Sequence, residues 1–242
     1  MRTIDGIPRE AVPSVRCVRL SPTRRILDVV VASTLLVVLA PLLILLAVLV
    51  RITSGGPVLF RQQRMGEGGR TFALYKFRTM RNGSTGPGVT GYSDLRVTGT
   101  GRMLRQLHLD ELPQLWNVLR GDMTLVGPRP EIPDLACRYP PQLQWVFRHR
   151  PGLTGPCQLR SRADAAQIEG RCDPEEYYLT VLVPQRVALD AEFLRHATTP
   201  NVLRLAGRTV LYVLSAGWEG CGHGEAARRR KGASHGDRGE WT

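Results

Sequence analysis

The sequence predicts a helix-rich α/β protein with a membrane-associated N-terminal segment, and three observations carry that prediction. Ile26–Val50 is a 25-residue run whose single charge, Asp28, lies near its start. Leu112, Leu115, Trp116 and Leu119 recur at i, i+3, i+4 and i+7, the spacing of an amphipathic helix with one buried face. Between these, "GGPVLFRQQRMG" (55–66) reads as a turn, a short strand and a basic loop, and "RTFALYKFRTM" (70–80) as a strand through Phe72, Leu74, Tyr75 and Phe77.

Taken in order, residues 1–23 are polar and proline-bearing and read as a mobile leader. As a straight helix the following run would reach ~37 Å, more than the ~30 Å hydrocarbon core of a bilayer. It is too long for the apolar region of a signal peptide, and no small-residue cleavage site follows it. Pro41 falls inside the run, where a continuous helix loses a hydrogen bond at about 3 kcal/mol unless it bends. Basic residues flank both ends, Arg24 and Arg25 before and Arg51, Arg61 and Arg64 after. A spanning helix should be basic mainly on one side, so a kinked span and a helix–break–helix hairpin both remain open at this point.

Beyond the run, 82–94 holds four glycines and reads as a mobile loop. Helices are expected at about 99–108, from Asp110 to a cap at Gly121, within Glu131–Arg148 (Trp145 and Phe147 buried), and at about 174–196 and 200–216. "RPGLTGPCQL" (150–159) is turn-rich. The last helix sets Arg204 and Arg208 beside an apolar face, which suits either a core helix or one lying in a membrane interface. From Gly217 the chain is a basic tail with the composition of disorder.

Five scattered cysteines without a Cys-x-x-Cys pair argue against a disulfide framework or a zinc site and favour a reducing compartment. The net charge of +12 implies an acidic partner: nucleic acid, anionic lipid or a phosphorylated substrate. Only Lys76 and Lys231 among the 33 basic residues are lysines, so the lone lysine of "YKFRTM" suggests a need for a compact ammonium.

The chemistry concentrates in "HLDELPQLWNVLRGDMTLVGPRPE" (108–131). Pro113 is tolerable only in a first helical turn, which starts the helix near Asp110 and places Asp110 and Glu111 where the helix dipole favours negative charge. A carboxylate held ionised there is an ordinary N-cap, and equally a competent nucleophile or metal ligand. Arg102, Arg105, Arg120 and Arg129 surround the pair in sequence. Pro128 and Pro130 fix the backbone around Arg129, preorganising its guanidinium for bidentate phosphate binding.

These residues resemble the bacterial sugar transferase family, the monotopic phosphoglycosyl transferases. The likeness is carried by Arg25-x-x-Asp28, "GGPVLFRQQRMG", "FALYKFRTM", "LRQLHLDELPQLWNVLRGDMTLVGPRPE" and "RPGLTGPCQ", in order across 25–162. Further on, Asp173, Tyr177, Tyr178 and "ALDAEFL" around Asp190 fall where the family has related residues.

The resemblance implies transfer of a sugar-1-phosphate from a nucleotide-diphosphate sugar, usually a uridine one, to polyprenol phosphate (undecaprenyl phosphate in bacteria), initiating exopolysaccharide or other lipid-linked glycan synthesis. Asp110 would be the nucleophile, giving a phospho-sugar aspartyl intermediate and ping-pong kinetics. Glu111, with Asp110, would hold Mg²⁺. Arg105 and Arg129 would cradle phosphates, with Lys76, Arg78 and Arg150 as further candidates.

The resemblance also implies that 24–51 is a re-entrant hairpin broken at Pro41, in contact with membrane lipids of the bacterial inner membrane. Residues 52–216 would then form a compact cytoplasmic catalytic domain with interfacial helices, followed by the tail, 217–242. The chain departs from the family pattern at Ala40 before the proline, at Leu95 in Asp94-Leu95-Arg96, and at Gly99-Thr100-Gly101. It departs again at His108 and at Ser161-Arg162. Two other readings are a membrane-anchored homologue without catalysis and a basic nucleic-acid-binding protein. The second lacks aromatic stacking motifs and gives the apolar run no role.

Overall fold

Ser21 and Pro22 start the first helix. In the computed structural model, which describes residues 3–4, 7–8, 17–83, 94–158, 167–168 and 172–213, α1 spans Pro22–Val38, and its Ser21 cap accepts a hydrogen bond from the Arg24 N–H. It stops at Leu39, and α2 (Ala40–Ser54) begins at the next residue with Pro41 in its first turn, where a missing N–H costs no helical bond. The two helices are bent by 64°. Among the described residues no single helix is long and apolar enough to cross a membrane; this bent pair passes only together. Val37, Val38, Ile44 and Leu45 stand exposed around the break. Gly55, at φ 66°, caps α2 in the left-handed conformation that glycine adopts without a Cβ penalty.

The start of α1 is clasped by the rest of the chain. Val18 N–H donates to Arg148 O at 2.8 Å. Arg24 donates to Val126 O at 2.8 Å, while Arg25 donates to Val118 O and Leu119 O at 2.6 and 2.7 Å. Asp28, 1% exposed, accepts from the Leu125 N–H at 3.0 Å. The single charge of the apolar run therefore terminates a backbone bond that the buried segment would otherwise leave open.

A two-residue ladder, β1 (Thr3–Ile4) with β2 (Ile7–Pro8), precedes this hairpin. Apart from that ladder and residues 17–23, the expected leader lies outside the described residues. So do the tail at 217–242 and all of the glycine-rich loop except its ends, 82–83 and 94.

Strands β3 (Leu59–Met65) and β4 (Thr71–Phe77) form an antiparallel hairpin in which Phe60 pairs with Lys76 and Arg64 with Phe72. The second half of "GGPVLFRQQRMG", expected as a loop, is strand through Met65. Helix α3 (Gly99–Gln106) is capped by Thr98, whose hydroxyl accepts from the Gly101 N–H at 2.9 Å.

The helix expected from Asp110 begins later. Asp110 and Glu111 lie in a 3₁₀ turn, Leu109–Glu111, and α4 runs only from Gln114 to Arg120 behind Pro113, with no side-chain cap. Neither carboxylate is an N-cap. Trp116, expected on the buried face, is 49% exposed, while Asn117 takes the interior. Its side chain accepts from Tyr75 N–H at 3.1 Å and donates to Ala73 O at 2.7 Å, docking α4 on the edge of β4.

Two three-residue strands, β5 (Thr124–Val126) and β6 (Gly152–Thr154), pair in parallel. Between them lie α5 (Pro133–Cys137) and a 3₁₀ segment, Pro141–Arg148, with Phe147 buried and Trp145 partly so. The C-terminal part comprises α6 (Pro174–Tyr177), a π turn (Tyr178–Leu182), α7 (Val183–Arg195) and α8 (199–213).

Three apolar clusters hold these pieces. Leu46 and Val50 of α2 pack with Phe77 and Leu104, and Leu109 and Leu112 join them. Ala32 of α1 meets Leu74, Leu115, Val126 and Val202. Met65 packs with Tyr139, Phe147, Tyr178 and Val187.

Candidate active site

The 3₁₀ turn that carries Asp110 is entered through His108, whose φ of 55° is the one positive value among the described non-glycine residues. Left-handed backbone at a side chain of this size stores local strain, as functional turns commonly do. The His108 ring packs 5.8 Å from that of Tyr212 in α8. Leu109 and Leu112, on either side of the carboxylates, pack against the cluster formed by Leu46 and Val50 of α2 with Phe77 and Leu104. The acidic turn thus shares an apolar cluster with the second helix of the hairpin.

Asp110 is 7% exposed. Burial, helped by the adjacent Glu111 charge, pushes its carboxyl up to about 6, opposed by Lys76 and Arg105. The expectation that a helix start keeps this group ionised is therefore corrected: cationic neighbours do so, against burial. For Glu111, burial works the same way, but Arg129, His108 and Lys76 outweigh it and hold the carboxyl below the usual range. Arg129 Nη2 lies 3.3 Å from Glu111 Oε1, and Arg129 remains exposed between buried Pro128 and Pro130.

Lys76 faces both carboxylates, with Nζ 5.3 Å from the Phe60 ring centroid. Burial and the Arg64 charge draw its ammonium down to about 8. Arg105 donates from Nε to Thr79 Oγ1 at 2.9 Å and feels the Asp110 charge. The structure thus brings together Asp110, Glu111, Lys76, Arg105 and Arg129. Arg78 sits at the edge, donating to Pro57 O at 2.9 Å beside the Phe60 ring. Arg150 lies apart, paired through Nε and Nη2 with Glu67 Oε2 at 3.0 and 2.8 Å.

The residue that sequence reading missed is Arg64, taken there as a flanking charge. It donates to Pro130 O at 3.2 Å and lies 3.6 Å from Glu131. Burial lowers its guanidinium, and the Glu131, Arg129 and Glu111 charges all act on it. The available signal was strand alternation: Arg64 is four residues from Phe60, the partner of Lys76, so both face the same side.

The donor set also bears on a metal. No group of three or more His, Cys, Asp or Glu side chains able to hold one exists among the described residues. Two adjacent carboxylates without a protein cage fit Mg²⁺, which takes one or two carboxylates and completes its shell with water and substrate phosphate.

An acidic pair beside lysine and arginine side chains, sharing an apolar cluster with the bent hairpin, has the chemistry of a site that handles phosphate. The chain belongs to the bacterial sugar transferase family, whose model matches residues 19–216. It is 41% identical over 205 residues to the UDP-glucose:undecaprenyl-phosphate glucose-1-phosphate transferase of Caulobacter vibrioides, covering 79% of this chain and 70% of that protein. It is 38% identical over 163 residues to an undecaprenyl-phosphate N-acetylgalactosaminephosphotransferase of Aeromonas hydrophila, covering 64% of this chain and 38% of that protein. It is also 38% identical over 161 residues to the exopolysaccharide production protein ExoY of Sinorhizobium fredii, covering 60% and 71% respectively. The chain therefore spans well under half of the Aeromonas protein and about 70% of the other two.

Proposed function

We propose that this chain transfers a sugar-1-phosphate from a UDP-sugar to undecaprenyl phosphate, an initiating step of exopolysaccharide or other lipid-linked glycan synthesis. The observation that carries this reading is the gathering of Asp110 and Glu111 with Lys76, Arg105 and Arg129, on a turn whose Leu109 and Leu112 share an apolar cluster with Leu46 and Val50 of α2. That arrangement presents a nucleophilic carboxylate where a bilayer-bound phosphate can meet a soluble diphosphate. The names of the relatives support the same donor and acceptor classes.

In this reading Asp110 attacks the sugar-bearing phosphorus. A carboxylate oxygen–phosphorus bond forms, the phosphoanhydride bond to the uridylyl phosphate breaks, and UMP leaves with the electron pair. The phosphate oxygen of undecaprenyl phosphate then attacks the same phosphorus, breaking the acyl-phosphate bond and returning Asp110 to its carboxylate. Lys76 and Arg105 keep Asp110 ionised between turnovers and, with Arg129, neutralise the diphosphate. Glu111 orients Arg129 through their ion pair and, with Asp110, would hold Mg²⁺. Bound there, Mg²⁺ supplies Lewis-acid charge neutralisation. Incubation with a UDP-sugar, undecaprenyl phosphate and Mg²⁺ is expected to release UMP. EDTA should abolish the release and added Mg²⁺ restore it; release unaffected by chelation would remove the metal from the scheme.

The membrane segment is read as a re-entrant hairpin in the bacterial inner membrane with the catalytic domain in the cytoplasm. Support comes from the clasp: Val18, Arg24, Arg25 and Asp28 before the break bond to the same domain that follows α2. In this reading both ends of the hairpin leave on one face. Cys17 and Cys137 should therefore both resist an impermeant thiol reagent in intact cells. Labelling of Cys17 alone would establish a span.

A further inference from the structure

We infer that Tyr178 and Arg186 are positioning residues for Arg129, acting through the buried Glu131 carboxylate. The inference rests on the phosphate role proposed above for Arg129. Glu131 stands two residues beyond Arg129 and is 8% exposed. Its backbone carbonyl accepts from Met65 N–H at 2.7 Å, which ties the proline-framed turn to the end of β3. Its Oε1 accepts from Ile132 N–H at 2.9 Å and lies 3.6 Å from Arg64. Its Oε2 accepts two phenols, Tyr139 at 3.0 Å and Tyr178 at short range.

Arg186 completes the chain. Its Nη1 donates to Tyr178 Oη at 2.9 Å, and its guanidinium lies 4.9 Å from the Tyr178 ring centroid. The phenol therefore accepts from a cation while donating to an anion, and each bond polarises the other. Glu131, Tyr178, Arg186 and Arg129 all line one cavity, so this polar chain and Arg129 border the same space. Arg64 secures the neighbouring Pro130 carbonyl. Pro128 and Pro130 restrict the backbone on either side of Arg129, and its guanidinium meets Glu111 at 3.3 Å.

A second observation is independent of these bonds. The π turn in the C-terminal helical stretch begins at Tyr178 itself. Such widened turns cost regular helical bonding and are found chiefly at functional positions. Here the widened turn starts where a phenol is delivered into the interior, and Leu179 and Leu182 are buried beside it.

The test is a double-mutant cycle on UMP release by the full chain in detergent. Tyr178→Phe keeps the ring packing and removes the hydrogen bond to a charged partner. It should lower kcat/KM roughly tenfold in the parent, and less than about twofold in the Arg129→Ala background, because coupled residues are not additive. Equal losses in both backgrounds would make Tyr178 a merely structural residue and overturn the inference. Arg186→Gln is run through the same cycle should Tyr178→Phe not accumulate as folded protein. An Arg129→Ala chain as active as the parent would overturn the phosphate role of Arg129 itself and the inference with it. The same cycle on UDP binding, measured by calorimetry, decides the matter even for a chain that releases no UMP: UDP must bind more weakly on Tyr178→Phe only when Arg129 is present.

Discussion

Replacing Asp110 by Asn is expected to abolish UMP release, a loss on the order of 10³-fold or more, as removal of a catalytic nucleophile does. The substitution is nearly isosteric and the site is 7% exposed, so the fold has no reason to change. Stability should move the other way. Because burial raises the Asp110 carboxyl from 3.8 to about 6, the folded state holds this proton more tightly than the unfolded chain does. The ionised carboxylate is thus a destabilising group, fully so above about pH 6 and not at all below about pH 4. The metal-free Asn variant should unfold at or above the parent temperature at pH 7.5, and the difference should vanish in acid. Thermal unfolding by circular dichroism beside the UMP assay separates a lost nucleophile from a lost fold. Full activity in the variant would remove Asp110 from the nucleophile's role.

Gly152→Ala should be a severely damaging substitution although it adds a single methyl group. Gly152 N–H donates to Pro128 O at 2.8 Å, and Gly127 N–H donates to Thr154 O at 2.9 Å. A Cβ on residue 152 would overlap the Gly127 backbone, so β6 must withdraw and both bonds are lost. The backbone-against-backbone clash and the lost bonds together should cost about 3 kcal/mol or more, roughly 10 °C in midpoint for a domain of this size. Because the same bonds hold the turn from which Arg129 projects, surviving protein should show about a hundredfold lower kcat/KM, the order of loss that an ångström of misplacement brings. A folded variant with parental kinetics would show that the turn does not need this close approach.

How much of this was legible in the sequence depends on the range of each cause. The break near Pro41, the cap at Gly121 and the strand through Phe72 and Phe77 follow from local rules, and they stand within a residue or two of where those rules put them. The resemblance singled out Asp110, Glu111, Arg105, Arg129 and Lys76 as candidates, and the fold sets these residues near one another. What local rules could not report is contact across distance. Thr124–Val126 and Gly152–Thr154 are too short to show alternation, and each is a strand only because the other is beside it. Arg64 looked like a flanking charge because its partners, Pro130 and Glu131, lie 66 and 67 residues away. The helix expected from Asp110 failed for a different reason: the left-handed His108 and then Pro113 allow only a tight 3₁₀ turn before α4.

The clasp at the start of α1 also orders events in time. Arg24 and Arg25 bond to carbonyls 102 and 93 residues further along the chain. The apolar hairpin therefore leaves the ribosome about a hundred residues before the groups that will receive its arginines, at 5–20 residues per second. In the proposed re-entrant arrangement the hairpin enters the bilayer during that interval, with Arg24, Arg25 and Asp28 at its surface. On that proposal anchoring precedes folding, and the hairpin is the template on which β5 and α4 later close.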